Sequence, residues 1–172
     1  SYGRYKWNTS KGPDRYRRSL YTFSKRTAPF AAYLTFDGVS GESCVVQRER
    51  SNTPLQALTL LNDQLFIEAA QALGKQAMGK GAAHILRRCL VRPPKPAETK
   101  LVTTFYRQQL KRLQSGELDA RKIVAAADAK SPQRDQLAAW TMTARAVLNF
   151  DETITKEYMM EVEALCLRGL QL

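Results

Sequence analysis

From Leu55 onward, apolar residues recur at three- and four-residue spacing; before that point they follow no clear period. Leu55, Leu58, Leu61, Leu65, Ala69 and Leu73 form one stripe, widened by Phe66, and predict an amphipathic helix over about 54–78. Its start is marked by Ser51, Asn52 and Thr53 ahead of Pro54. One of those polar side chains can accept from the free amides of the first turn, and proline suits the first helical position. Gly79 and Gly81 supply the stop.

The pattern predicts a second helix from Ala82 to about Val91, with Ile85, Leu86, Cys89 and Leu90 inward, broken by Arg92-Pro93-Pro94 and Pro96. A third spans about 97–114, with Leu101, Phe105 and Leu113 on one face and Lys/Arg on the other. Residues 117–129 read as a short helix. Ser131-Pro132 opens another, with Leu137, Trp140, Thr141, Ala144, Val147 and Leu148 at helical spacing, and a last helix is expected over 151–168.

Residues 1–50 are different in kind. They are basic, aromatic and largely irregular, with Pro29, Gly38 and Gly41, and Arg18–Phe23 is the one stretch that reads as a short strand. A single strand must pair or pack elsewhere. The expected fold is therefore mainly α: an irregular N-terminal segment with one short strand, packed on a bundle of about five helices. Residues 51–157 form the helical core of the same domain, and 158–172 form a C-terminal extension.

Length and composition fit this reading. The chain has 172 residues, 44% hydrophobic and 25% charged, enough for one domain with a core. No apolar run approaches the length of a membrane span. The chain starts with Ser and has no apolar signal region, so it reads as a fragment or processed product of a longer protein. The net charge of +11 is uneven. Residues 1–30 carry eight basic side chains against Asp14 alone; the last 22 residues carry five acidic side chains against two basic ones. The basic head and acidic tail can attract one another or mark two partner surfaces.

Candidate chemistry is sparse. Cys44, Cys89 and Cys166 are far apart, with no CxxC or CxxCH, which argues against zinc and against covalent haem attachment within this chain. Three cysteines are compatible with one disulfide and one thiol left over, and buried free thiols are the plain expectation for them. Cys44 is the exception: it sits in a polar loop followed by Arg48 and Arg50, cations that lower a thiol's pKa. The only histidine, His84, is the one side chain that can serve it as a base, although packing is the plainer role for His84. Arg17, Arg18, Lys25 and Arg26, interleaved with rings, form a candidate anion-binding surface, and Arg48 and Arg50 another beside the helix start at Pro54. The same residues can instead dock the irregular segment by their stems, or pair with Asp37 or Glu42.

The segments Tyr16–Phe23 (YRRSLYTF) and Lys25–Pro29 (KRTAP) resemble the signature of a planctomycete family of unknown function. It is the C-terminal member of two domains commonly found with a c-type cytochrome module. Leu34–Asp37, Cys44–Arg50 running into Asn52–Leu58 and Leu60–Asn62, Arg92-Pro93-Pro94 with Glu98, Trp140-Thr141, Leu148-Asn149 and Asp151-Glu152 resemble further blocks of that family, in order, over about residues 7–157. Ser24 departs from it, standing where the family usually has an aromatic. The resemblance implies a large exported, periplasmic-type parent protein and a c-type haem held by a separate domain, with no cofactor or metal in this chain and sibling domains as partners. It carries no catalytic residues.

The function expected from all this is a non-catalytic accessory or interaction domain that binds an acidic protein or an anionic polysaccharide. Two alternatives stand beside it. One is part of an enzyme or redox component whose site is completed by upstream domains; the other, less favoured, is a basic nucleic-acid-binding domain.

Overall fold

Thr53 opens the helical part of the chain with a reciprocal cap. Its hydroxyl accepts from the Gln56 amide at 3.3 Å, and its own amide donates to Gln56 Oε1 at 3.1 Å. The structure, a computed structural model, describes residue 10, residues 12–23, 30–39, 44 and 46, and the unbroken stretch 51–155. The backbone divides into two units, Ser1–Ser51 and Asn52–Leu172.

In the first unit the strand expected over Arg18–Phe23 is a 3-10 turn at Ser19–Tyr21. Arg18 O accepts from the Tyr21 amide, and Ser19 O accepts from both the amide and the hydroxyl of Thr22. Local bonds thus satisfy a backbone that a lone strand would leave unpaired. A second 3-10 helix covers Gly12–Tyr16, and helix α1, Ala31–Thr35, stands where loops are expected. Asp37 follows it in the left-handed region (φ 56°). Its carboxylate accepts from the amide and the hydroxyl of Ser51, at 2.8 and 2.7 Å.

The second unit contains α2 (Pro54–Asn62), α3 (Gln64–Ala77), α4 (Ala82–Leu90), α5 (Pro96–Gln114), α6 (Arg134–Leu148) and the short α7 (Asp151–Ile154). The single helix expected over 54–78 is two, because Asp63 is extended (ψ 135°) and its side chain caps the Leu65 amide at 2.8 Å. The stripe that predicts this helix is not its buried face. Leu55, Leu58, Leu65 and Ala69 are exposed, whereas Gln56, Leu60, Ala70, Gly74 and Ala77 are buried. Small residues at 70, 74 and 77 let α3 approach α6 closely: a Cβ on Gly74 would lie 2.9 Å from the Thr141 amide nitrogen.

Helix α6 packs against both α3 and α5 and buries eight positions, including Leu137, Trp140, Thr141, Ala144 and Val147 as expected. Ile85, Leu86, Cys89 and Leu90 of α4 are buried, also as expected. On α5 the inward face is Val102, Gln109 and Leu113 rather than Leu101, which is 67% exposed. Tyr106 of α5 stacks on Trp140 with ring centroids 3.9 Å apart. Residues 117–129 form two 3-10 turns, Ala120–Lys122 and Ala126–Asp128, in place of the short helix. Of the last helix, Asp151–Ile154 is present and residues 156–172 lie outside the described part. Among the described residues there are seven α-helices, five of them nine residues or longer, and no strand. None of these helices is long and apolar enough to cross a membrane.

Candidate functional site

The predicted anion-binding residues are only partly described. Arg17 is exposed and pairs with Asp14, Nε to Oδ1 at 2.7 Å, so the one acidic side chain of the basic head is already engaged. Arg18 lies over the Tyr21 ring at 5.9 Å and Arg15 over Tyr16 at 5.7 Å. Tyr16, Tyr21 and Phe23 are exposed. Lys25, Arg26, Arg48 and Arg50 lie outside the described residues.

Cys44 is free and exposed, in keeping with its polar loop, and Cys89 is buried, as expected for a cysteine on the inward face of its helix. His84 belongs to the other unit. Its Nε2 lies 3.3 Å from Gln76 Oε1. Burial lowers its pKa, and the neighbouring Lys80 and Arg88 lower it further. Among the described residues no three His, Cys, Asp or Glu side chains gather as a metal site would require.

The densest polar arrangement is centred on Arg92. The chain leaves α4 through Val91 in the left-handed conformation (φ 60°, ψ 19°) and places Arg92 between two carboxylates. Its Nη1 and Nη2 donate to Glu98 at 3.0 and 2.8 Å, while Nε and Nη2 donate to Glu152 at 2.5 and 2.7 Å. Glu98 also accepts from the Lys95 amide at 2.8 Å and so caps α5. These bonds hold the Glu98 carboxyl down to about 2, with the Arg92 guanidinium as the main cause, lower Glu152 for the same reason, and raise Arg92. Alongside, Asn52 Nδ2 donates to Asp151 Oδ1 at 2.5 Å. Asn52, Arg92-Glu98 and Asp151-Glu152, far apart in sequence, are thus joined in two adjoining sets of bonds that hold the start of α2, the α4–α5 turn and α7. Every acceptor and donor at the centre of this cluster is used by the protein itself, which is the signature of a clamp.

Sequence reasoning passed over the α4–α5 surface, although its signal was present: residues 79–112 carry nine basic side chains against Glu98 alone. Arg92 is taken by the clamp and Arg112 by Glu117 at 2.7 Å. Lys80, Arg87, Arg88, Lys100, Arg107 and Lys111 pair with no described carboxylate. Lys100 and Arg107 line a groove of about 580 Å³ together with Ala83, Pro94, Pro96 and Thr103.

No curated protein and no solved structure matches the chain. A family model described as PSD1, protein of unknown function (DUF1553), matches residues 2–106 and stops short of the blocks from Trp140 to Glu152. The match takes in the N-terminal signature, the capped start of α2 and the Arg92–Glu98 half of the clamp, more than half of the chain, and the protein belongs to the PSD1 (DUF1553) family.

Proposed function

We propose that this chain is a non-catalytic accessory domain of a larger exported protein, one associated with a c-type cytochrome module in planctomycetes, and that it binds an acidic protein or an anionic polysaccharide. The observation that carries this reading is how the polar side chains are spent. The most distinctive ones, Arg92, Glu98 and Glu152, saturate one another, while five cations on α4 and α5, together with Lys80 just before α4, pair with no described carboxylate. A domain arranged this way offers a positive surface on a fixed frame, which favours charge-steered association over chemistry. Haem belongs to a separate domain of the parent protein in this reading, and sibling domains are its constitutive partners.

The test is binding of the full chain to an acidic protein and to uronic-acid or sulfated polysaccharides across a salt series, with DNA and RNA as counter-probes. Affinity for the former that falls with salt, without comparable nucleic-acid binding, is the expected result. A second reading attaches to Cys44, whose thiol is free and exposed. It makes the chain part of an enzyme or redox component completed by upstream domains. Loss of a parent-protein activity in Cys44→Ala would favour it, and an unchanged activity would remove it.

A further inference from the structure

The α4–α5 groove discriminates among acidic partners by what it lacks. Thr99, Thr103 and Thr104 line it, and each hydroxyl already donates to the carbonyl one turn back, at 3.2, 2.7 and 2.9 Å. Pro94 and Pro96 have no amide hydrogen to offer, and Ala83 contributes a methyl. What a ligand meets is aliphatic surface plus the charges of Lys100 and Arg107. Arg87, one turn beyond Ala83 on α4, and Lys111, one turn beyond Arg107 on α5, prolong the positive field.

This composition separates the possible occupants. No aromatic ring lines the groove, so it offers single-stranded nucleic acid no aromatic platform for base stacking. A polysaccharide presents hydroxyls at every residue, and apart from Lys100 and Arg107 the side-chain donors of the lining are committed to the helix backbone. A peptide carrying both carboxylates and aliphatic side chains fits both halves of the lining. A carboxylate can take the fork of Arg107 and the ammonium of Lys100, while its apolar neighbours cover proline, alanine and threonine methyls. The volume, about 580 Å³, suits a few side chains of a segment rather than the face of a folded domain.

We propose that the groove lined by Lys100 and Arg107 between α4 and α5 is the seat for an acidic, aliphatic-containing peptide segment of a partner protein. The proposal rests on the interaction-domain reading and names its partner class and its place.

The test is fluorescence anisotropy of the full chain with a labelled synthetic peptide of Glu, Asp and Leu. Melting curves confirm that each variant is folded. Lys100→Glu/Arg107→Glu is expected to weaken binding by about tenfold or more, and the charge-matched control Lys122→Glu/Lys130→Glu to leave it within about twofold. Replacing Leu by Ser in the peptide is expected to weaken binding several-fold. Equal loss in the control pair, or no preference for the Leu-containing peptide, overturns the groove as a peptide seat. So does tighter binding of dextran sulfate or single-stranded DNA with the same dependence on Lys100 and Arg107, which would make this face a reader of charge alone. Peptide binding that is lost only in Arg17→Glu/Arg18→Glu overturns the groove but leaves the interaction-domain reading standing. No binding of peptide, polysaccharide or nucleic acid at low salt removes both.

Discussion

The guanidinium of Arg92 holds Glu152 across sixty residues of sequence, its Nε and Nη2 each facing one carboxylate oxygen at 2.5 and 2.7 Å. The same guanidinium forks onto Glu98 on its other side. One cation between two carboxylates leaves the cluster a single negative charge, which the Lys95 amide at the start of α5 partly answers. The side chain of Arg92 is 31% exposed, so this is a surface clamp whose worth depends on salt and on pH.

Its pH dependence has a definite sign. Glu98 is lowered from the ordinary 4.5 to about 2, and Glu152 is lowered as well. Groups with depressed folded pKa values contribute stability that is present above the unfolded value and is lost as pH falls through the folded one. Urea denaturation followed from pH 7 downward should therefore show wild type losing stability between about 4.5 and 2, with Arg92→Gln less stable at neutral pH and converging on wild type in that window. Parallel curves for the two proteins would contradict the clamp. High salt should shrink the neutral-pH difference.

Val91 makes the turn that delivers Arg92, and it does so at φ 60°, a conformation that a β-branched residue adopts under strain. Its side chain is 71% exposed, so little packing offsets that strain. Val91→Gly should raise stability by about 1 kcal/mol, read as a higher urea midpoint with an unchanged slope. A lower midpoint would mean that the Val91 side chain has a role its exposure does not reveal.

What the sequence made legible follows from which forces are local. The start of α2 could be read because its cap is written within four residues, Thr53 to Gln56. The buried face of α4 could be read because three large side chains, Ile85, Leu86 and Leu90, fix it. The break at Asp63 was missed because the apolar stripe continues across it, and only the aspartate's cap interrupts the helix. The inward faces of α3 and α5 were misassigned for a related reason: the pattern weighs large residues, whereas α3 meets α6 through Ala70, Gly74 and Ala77. The clamp could be read only as separate pieces. Arg92, Glu98 and Glu152 stand out singly, and their meeting depends on the left-handed turn at Val91, which no residue preference announces.

Gly74 tests the close approach of α3 and α6. A methyl there would meet the Thr141 amide nitrogen at 2.9 Å and Oγ1 at 3.0 Å, and that hydroxyl already donates to Leu137 O at 2.8 Å. Alanine gains up to about 1 kcal/mol of helix propensity over glycine. Overpacking of about 1–3 kcal/mol opposes it, so Gly74→Ala should be destabilising on balance. Because the nearest obstacle is backbone, Gly74→Ala/Thr141→Ala should recover little. Full recovery in the double variant would place the conflict in the hydroxyl instead.

His84, the sole histidine, reports on the basic surface without ambiguity in a ring-proton titration. Burial is the larger cause of its lowered pKa, and Lys80 and Arg88 add to it. Lys80→Gln/Arg88→Gln should therefore raise the pKa part of the way toward 6.5 and not beyond it. The linkage has the matching sign: the folded chain takes up a proton less readily than the unfolded one, so stability falls as pH drops below 6.5, and less so in the double variant. An acidic peptide seated in the α4–α5 groove would add negative charge near this end of α4 and move the same resonance in the same direction. A His84 pKa at or above 6.5 in the unliganded wild type would remove the cationic environment on which the surface depends.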